Sequence, residues 1–401
     1  MGDRPRRSVL LSARLLVPAT FVTSLGNNIQ LIASTLLLVR ANGTMLAVGW
    51  LFIAVALPQA VLSPWFGRLA DRFDRRRLWL GCDLTSAVAA LALPLGGHSS
   101  HIVYGSNFAL AVVSALFMPT SAALIKERVP SGELRRFNAR YEIALQAGSL
   151  LSASVGGWAV QGLGPDLLFT FNAATFAVSG LFVHQVGRRP AKPLSTASGE
   201  PVGGDGSRMP VGPLILLYAQ GNIVVTVFNA LLPILVLKEL ADGPGLLGIV
   251  DAVGGTGFLL AAVAYGRINR FPDLRIALVG YLVNDTMLAL QPHFGPAVLT
   301  VTVFLGAWSF GQARIASRAL LLEAAPYDQV GRAFGRANAI GLTSTILVML
   351  AVATLTDHSD TRFGFAALAA ITGLTALYAA LTTWRTRRNP QLQDGLIRLR
   401  D

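Results

Sequence analysis

The chain has 401 residues, of which 53% are hydrophobic and only 13% charged, and its mean hydropathy is +0.56. Soluble domains carry about 25% charged residues, so this composition excludes an ordinary soluble protein and places the chain in a bilayer. The formal charge of +12 would also suit a nucleic-acid-binding protein. Where the basic residues lie decides between these two classes.

Charge-poor stretches long enough to cross about 30 Å of hydrocarbon as helices, roughly 20 residues each, occur about twelve times. They are predicted at 15–39, 45–66, 78–96, 101–124, 138–162, 166–187, 212–237, 243–265, 275–292, 294–316, 333–356 and 361–384. The first is longer than the apolar region of a signal peptide, so we expect it to remain as a membrane helix. The prediction is an all-α protein with twelve transmembrane helices.

Basic residues are concentrated in alternate connections between these spans, which predicts the topology. They occupy the N-terminus, 67–77, 125–136, 188–211, 266–275, 317–336 and the C-terminus. Because basic loops stay cytoplasmic, we expect both termini to be cytoplasmic. The positive charge then reflects topology and anionic lipids, with no role for nucleic acid.

One connection is rich in Pro, Gly and Ser, a composition typical of a flexible linker. It covers 188–211. The predicted domains are therefore an N-terminal six-helix bundle at 1–187, this cytoplasmic linker, and a C-terminal six-helix bundle with a cytoplasmic tail at 212–401.

A charged segment after the second span returns in weaker form in the second half. It reads Gly67-Arg-Leu-Ala-Asp71-Arg-Phe-Asp-Arg-Arg-Arg77, and about 199 residues later Gly266-Arg-Ile-Asn-Arg-Phe-Pro-Asp-Leu-Arg275. The pair Gly26-Asn27 is similarly answered by Gly221-Asn222. Parallel repeats of this kind build transporters whose substrate site lies between the halves and opens alternately to each side.

These residues resemble the major facilitator superfamily, whose loop pattern is G-x-L-A-D-R-x-G-R-R, and the resemblance covers essentially the whole chain. It implies two six-helix bundles related by a pseudo-twofold axis. The run Ser24-Leu-Gly-Asn27 and the segment Gly331-Arg-Ala-Phe334 are most similar to the branch containing siderophore and macrolide exporters, of the drug:proton antiporter type.

The chain departs from the family pattern at several positions. Asp74 replaces the second loop glycine, which we expect to cost a tight turn. Asn27 stands where that branch commonly has Asp, so a proton role there is lost. The fifth-helix antiporter pattern keeps its small residues but has Ser152-Ala153 in place of Gly-Pro, and the fourth helix lacks an arginine common in the family.

The resemblance implies that the first loop closes the cytoplasmic side. A carboxylate near a helix N-terminus, and arginines near helix C-termini, are each favourable by about 0.3–1 kcal/mol when exposed. The alternative is that the arginines only obey the positive-inside rule. The candidate gating residues are Gly67, Asp71, Arg72, Arg75 and Arg76.

Ionisable residues within spans are costly, so each is a functional candidate. Asp251 is the first candidate for a proton carrier, because it lies about eight residues, or roughly 12 Å, into its span. Asp285 is equally deep, and a structural hydrogen-bonding role is open for it. Glu142 and Asp83 lie about one turn from the cytoplasmic end; Glu142 shares a helix face with Gln146 and suits either the cavity or a gate.

Polar residues on single faces of the first and seventh helices predict a substrate cavity, although amides of this kind also satisfy one another in packed bundles. Arg314 suits an anionic substrate, an acidic neighbour or snorkelling towards the cytoplasm. The candidate substrate-binding residues are Asn27, Gln30, Gln146, Asn222, Thr226, Asn229, Trp308 and Arg314.

The sequence carries no catalytic constellation, Walker loop or convincing metal-ligand spacing, so we expect no enzyme activity, cofactor or metal. An ion or substrate gradient must supply the energy. We expect a monomeric bacterial inner-membrane protein that exports a small amphipathic molecule, such as a drug, siderophore or secondary metabolite, with protons and lipids as partners. The alternatives are a facilitator or importer of the same fold, and a sensor or lipid-handling protein.

Overall fold

The computed structural model describes residues 14–42, 45–97, 99–186, 209–240, 244–267 and 271–388. These residues form twelve α-helices. In chain order they are α1 Leu16–Asn42, α2 Met45–Arg72, α3 Arg75–Gly96, α4 Ser100–Arg128, α5 Ser131–Leu163, α6 Pro165–Gln185, α7 Val211–Ile234, α8 Pro244–Arg267, α9 Asp273–Leu290, α10 Pro296–Ala324, α11 Val330–His358 and α12 Thr361–Arg388. A π-helical turn, Leu235–Glu239, follows α7.

Ten of these helices are long and apolar enough to cross a membrane, within the part of the chain that is described. The two others are α5 and α9. The α9 helix has only 18 residues, and three of them are charged, namely Asp273, Arg275 and Asp285. The predicted all-α architecture with twelve helices is confirmed.

Several helices continue beyond their apolar stretches into charged sequence. The segment predicted as a 67–77 loop is almost entirely helical, because α2 runs to Arg72 and α3 begins at Arg75. Only Phe73 and Asp74 lie between them. Helix formation therefore fixes the charged side chains of this motif on rigid elements.

The expected cost of Asp74 in place of glycine was wrong. Its backbone has φ −63° and ψ 112°, an extended conformation that any residue adopts. Its Oδ1 accepts a hydrogen bond from the backbone N–H of Arg77 at 2.9 Å. Asp74 is thus the N-cap of α3, a position that favours aspartate because the first N–H groups of a helix lack partners.

The chain forms two compact units. Unit 1 comprises Met1–Glu200 and Tyr327–Ala339, and unit 2 comprises Pro201–Pro326 and Ile340–Asp401. The start of α11 therefore belongs with the first six helices. The predicted linker, 188–211, lies outside the described residues apart from its last three, so the domain boundaries drawn from it stay a prediction.

The same pattern of helix pairs recurs in both units. In unit 1, α1 packs on α6, α2 on α4, and α3 on both α4 and α6. In unit 2, α7 packs on α12, α8 on α10, and α9 on both α10 and α12. Each unit therefore repeats the other's internal packing, as expected for a duplicated sequence.

A glycine brings one further pair together in each unit. A Cβ on Gly148 of α5 would lie 2.8 Å from the Phe21 carbonyl oxygen of α1, and one on Gly341 of α11 would lie 3.0 Å from the Ala219 carbonyl oxygen of α7. Such approaches require a residue without a side chain. The close contact of α1 with α5 is thus matched by that of α7 with α11.

Candidate functional site

Asp71, at the end of α2, binds the first turn of α11. Its Oδ1 accepts from the backbone N–H of Gly331 at 2.7 Å, and its Oδ2 accepts from that of Arg332 at 3.0 Å. The Arg332 Nε lies 3.5 Å from the same carboxylate. A carboxylate at a helix N-terminus satisfies unpaired N–H groups and meets the positive end of the dipole. We call this contact the Asp71 clamp.

Glycines allow the backbones around the Asp71 clamp to touch. A Cβ on Gly67 would overlap the carbonyl of Gly331, and a Cβ on Gly335 would overlap the carbonyl of Ser63. Beside them the Asn338 side-chain amide donates to the Ser63 hydroxyl at 2.8 Å. Small residues therefore set the helix spacing that places Asp71 within hydrogen-bonding distance of α11.

A buried ion cluster lies next to the Asp71 clamp. Arg75 contacts Glu127 at 3.2 Å and donates to the Tyr327 carbonyl at 3.0 Å, with its guanidinium 4.4 Å from the centre of the tyrosine ring. The Tyr327 hydroxyl donates to Glu127 at 2.9 Å, and Arg128 lies 3.1 Å from the other carboxylate oxygen. Both arginine side chains are at most 3% exposed. The Glu127 carboxylate thus contacts two buried guanidinium groups, those of Arg75 and Arg128, and accepts a hydrogen bond from Tyr327.

Of the other predicted gating residues, Arg76 stabilises a helix end within unit 1. It donates to the carbonyls of Val183, at 3.2 Å, and His184. These belong to the last turn of α6, where carbonyls lack partners within the helix. Arg72 is exposed. The structure therefore assigns different environments to the arginines of one motif.

The predicted polar stripe on α1 is largely buried in a hydrogen-bond network. Asn172 of α6 donates to Gln30 at 2.6 Å, and Gln30 contacts Ser106 of α4 at 3.4 Å. Asn107 donates to Ser34 at 2.9 Å. Gln30 is only 1% exposed, whereas Asn27 is exposed. The two amides that the sequence places on one stripe therefore have opposite environments.

On α7 the corresponding stripe stays open. Thr226 and Asn229 are exposed, and Asn222, four residues before Thr226, is half-buried. Residues spaced by three and four share one helix face. Phe228 lies off this stripe and packs edge to face on Phe365 of α12, with ring centroids 6.4 Å apart. The α7 stripe thus provides an accessible polar face within unit 2.

Asp251 is exposed, yet it does not lie on the apolar outer side of α8. Phe258 and Ala262, seven and eleven residues further on, share its helix face and are both buried. The exposed apolar residues Ile249 and Leu260 lie on the opposite side. Asp251 is therefore exposed at the edge of the packed side of α8, away from the apolar face where a carboxylate in contact with lipid would be costly.

The other predicted proton-coupling carboxylates are buried. Asp83 of α3 accepts from the Ser179 hydroxyl of α6 at 2.8 Å. Asp285 of α9 accepts from the Thr372 hydroxyl of α12 at 2.7 Å. The Asp83 bond joins two helices of unit 1, and the Asp285 bond joins two helices of unit 2. Glu142 is also buried, and Gln146, one turn further along α5, is half-buried.

Arg314 and Trp308 lie on different sides of α10. Arg314 donates to Asn222 at 3.3 Å, and its guanidinium lies 5.8 Å from the centre of the Tyr218 ring. Trp308 instead lines a cavity of about 440 Å³ with residues of α9, among them Arg275 and Val279. The structure therefore does not bring these two predicted substrate residues together.

Known proteins share this architecture of two repeated sets of six helices. A model of the Major Facilitator Superfamily matches residues 16–219 and 214–399. The chain belongs to this superfamily. It is therefore a multi-pass membrane transporter, and the family and fold indicate transport rather than enzyme chemistry.

Relatives in the superfamily share low identity over most of their length. The uncharacterized MFS-type transporter YfiS of Bacillus subtilis is 24% identical over 367 residues, covering 87% of this chain and 88% of that protein. The multidrug efflux pump Tap of Mycobacterium tuberculosis is 24% identical over 398 residues, covering 91% and 92%. The resemblance to a drug-exporting branch of the superfamily is confirmed.

The fold is also that of a solved bacterial homologue of the iron transporter ferroportin, in an outward-facing state. The TM-score is 0.74 at 16% identity, over 94% of this chain and 100% of the other. At this identity the likeness extends to the fold and not to the substrate.

Sequence reasoning missed the partners of the gating motif. Glu127 and Tyr327 complete the ion cluster around Arg75, and neither was among the candidate residues. A signal for Glu127 was present, because Glu127-x-x-Pro130 recurs as Glu323-x-x-Pro326. No periodicity indicates Tyr327, which lies in a 3₁₀ turn of three residues.

Proposed function

We propose that this superfamily member is a proton-coupled exporter of small amphipathic molecules that works by alternating access. The observation that carries the proposal is the exposed carboxylate of Asp251 on the packed side of α8. A group that exchanges protons must reach water, and within a membrane helix such a group is costly unless it has a function. Asp83 and Asp285 are buried against hydroxyl groups, so we assign them structural hydrogen bonds.

Gating is assigned to the Asp71 clamp and the ion cluster of Arg75, Glu127 and Tyr327. Both connect the first six helices to residues 327–339, which come from the second half of the sequence. We propose that they form when the cytoplasmic entrance closes and separate when it opens. Because each consists of a few hydrogen bonds and ion pairs, substrate and proton binding can supply enough free energy to break them.

Export is favoured over import by the relatives with similar sequences. Tap is named as a multidrug efflux pump, and it matches this chain nearly end to end. The incomplete antiporter pattern on α5 keeps a facilitator as the second candidate, because Ser152 and Ala153 stand in place of Gly-Pro. A facilitator would move substrate without protons.

Transport into reconstituted vesicles separates these functions. Purified protein in vesicles with an acidic interior is supplied with two xanthene dyes, cationic rhodamine 123 and anionic fluorescein, and the dye retained after filtration is measured against protein-free vesicles. An exporter coupled to protons concentrates at least one dye only while the pH gradient lasts. Equilibration without concentration would indicate a facilitator, and no protein-dependent uptake of either dye would contradict the proposal.

A further inference from the structure

Arg314 is a cation in α10, two residues before the end of the apolar span predicted at 294–316. It lies ten residues before the end of α10, or about 15 Å at 1.5 Å per residue. Its side chain is half-buried and reaches α7, where it donates to Asn222. A Cβ on Gly221 would press against its Nη1, so the absence of a side chain at that position provides the room for the guanidinium.

Arg314 makes no ion pair with the part of the chain that the structure describes. Among the described residues no carboxylate lies within ion-pairing distance of its guanidinium, and its buried Nη1 has no hydrogen-bond partner there. Its guanidinium donates to the Asn222 amide and lies 5.8 Å from the centre of the Tyr218 ring. An N–H group of a guanidinium that has no hydrogen-bond partner is an unfilled donor, and its natural partner is an anion.

The partly exposed side chain of Arg314 lies at one end of the α7 stripe. Asn222 is the innermost member of the stripe that continues through the exposed residues Thr226 and Asn229. A molecule lying on this stripe can place an acidic group at Arg314 and hydrogen-bond to the amides on the way. Tyr218 closes the other side, because its ring faces the guanidinium and is 8% exposed.

We propose that Arg314 and Asn222 form an anion subsite, so that the transported molecules include amphipathic anions carrying a carboxylate, sulfonate or phosphate. This inference rests on the proposed export function for its physiological meaning, but binding itself does not. The guanidinium binds the acidic group in two-pronged geometry, and the α7 stripe orients the rest of the molecule. A cationic drug would be disfavoured at this subsite by charge repulsion.

Binding of two dyes that share a xanthene ring but differ in charge tests the subsite. Fluorescence polarisation measures affinity for fluorescein and rhodamine 123 in a non-ionic detergent. Wild-type protein is expected to prefer fluorescein. Arg314→Gln should weaken fluorescein binding about tenfold or more, as expected for loss of a charged hydrogen bond, and leave rhodamine 123 binding unchanged or tighter.

Two further variants complete the experiment. Arg314→Lys keeps the charge but not the planar fork, so it should lie between wild type and Arg314→Gln. Arg267→Gln removes an exposed positive charge from the last turn of α8 in the same unit and should behave as wild type. Melting curves of all variants identify any that fail to fold. In a folded variant, an unchanged affinity for rhodamine 123 shows that the dye-binding site is intact.

The outcomes separate this inference from the proposed function. Fluorescein binding that is absent in wild type, unchanged in Arg314→Gln, or reduced equally in Arg267→Gln would overturn the anion subsite. If rhodamine 123 is still concentrated under a pH gradient, the export proposal survives that result. Conversely, Arg314-dependent fluorescein binding without transport of either dye supports the subsite and contradicts export.

Discussion

Asp71 accepts a hydrogen bond from the backbone N–H of Gly331 at 2.7 Å, although 260 residues separate the two along the chain. The carboxylate stands at the C-terminal end of α2 and at the N-terminal end of α11. Its negative charge is therefore unfavourable at the negative end of the α2 dipole and favourable at the positive end of the α11 dipole. This arrangement favours the contact over the separated helices, which is the property a gate requires.

Loss of Asp71 should open the clamp. In a Cys82→Ser background, a cysteine at Ser63 reports access to the contact region, because Ser63 is 0% exposed beside Asn338. Asp71→Ala removes a partly buried charged acceptor, a loss of roughly 1.5–3 kcal/mol. We expect faster labelling of the new cysteine by a membrane-impermeant maleimide applied from the cytoplasmic side. Arg72→Ala, which changes an exposed neighbour, should leave the rate unchanged; equal rates in Asp71→Ala and wild type would refute the gating role.

The close backbone contact at Gly67 predicts a steric effect of a single methyl group. Gly67→Ala should reduce transport severely, because its Cβ would overlap the Gly331 carbonyl. Gly81→Ala is the matched control, since a Cβ there meets nothing within 4 Å. Dye transport rates in reconstituted vesicles check the comparison. Similar rates for the two variants would show that the contact has no part in the transport cycle.

The ion cluster predicts a ranking of stabilities. Glu127→Gln leaves two buried arginines without their shared carboxylate and should cost about 3–5 kcal/mol, the range for breaking a buried ion pair. Tyr327→Phe removes one hydrogen bond and should cost about 1 kcal/mol. Arg332→Ala should cost less still, because its side chain is 40% exposed and surface ion pairs contribute little. Thermal unfolding of purified protein gives the order, and a smaller loss for Glu127→Gln than for Tyr327→Phe would contradict the account.

The contrast between Gln30 and Asn27 predicts different phenotypes for two alanine variants on one helix. Gln30→Ala breaks a buried network with Asn172 and should lower thermal stability, with little change in substrate preference. Asn27→Ala changes an exposed amide and should alter dye affinity without loss of stability. Thermal stability and dye affinity are measured for both variants to test this expectation. A shift of affinity in Gln30→Ala at unchanged stability would return that residue to the substrate site.

The sequence predicted the architecture well, because each helix carries its own signal. Apolar length identified the spans, and short repeats such as Gly26-Asn27 and Gly221-Asn222 indicated duplication. The helix ends were less predictable, since α2, α4 and α10 continue into charged sequence where the hydropathy signal stops. Residues such as Arg72 are helical because the neighbouring membrane segment has already formed the nucleus.

The candidate substrate and gating residues were harder to predict, because the residues on one helix face do not show which other helices pack against that face. Gln30 and Asn27 belong to one predicted stripe, yet α4 and α6 cover only the former. Tyr327 contacts Arg75 although 252 residues separate them in the sequence, and no local sequence pattern predicts this contact. Charge within a span did direct attention to Asp251 and Asp285, but only the structure shows that Asp251 is exposed whereas Asp285 is buried against the Thr372 hydroxyl.

The central claim is that protons drive transport through Asp251, and the direct measurement is dye accumulation against its gradient in vesicles with an imposed pH difference. Asp251→Asn removes the exchangeable proton while keeping size and polarity. We predict that this variant still binds dye and equilibrates it, but no longer concentrates it. Asp285→Asn, the same change at a buried carboxylate of the same unit, should retain gradient-driven accumulation. Undiminished accumulation by Asp251→Asn would contradict the account.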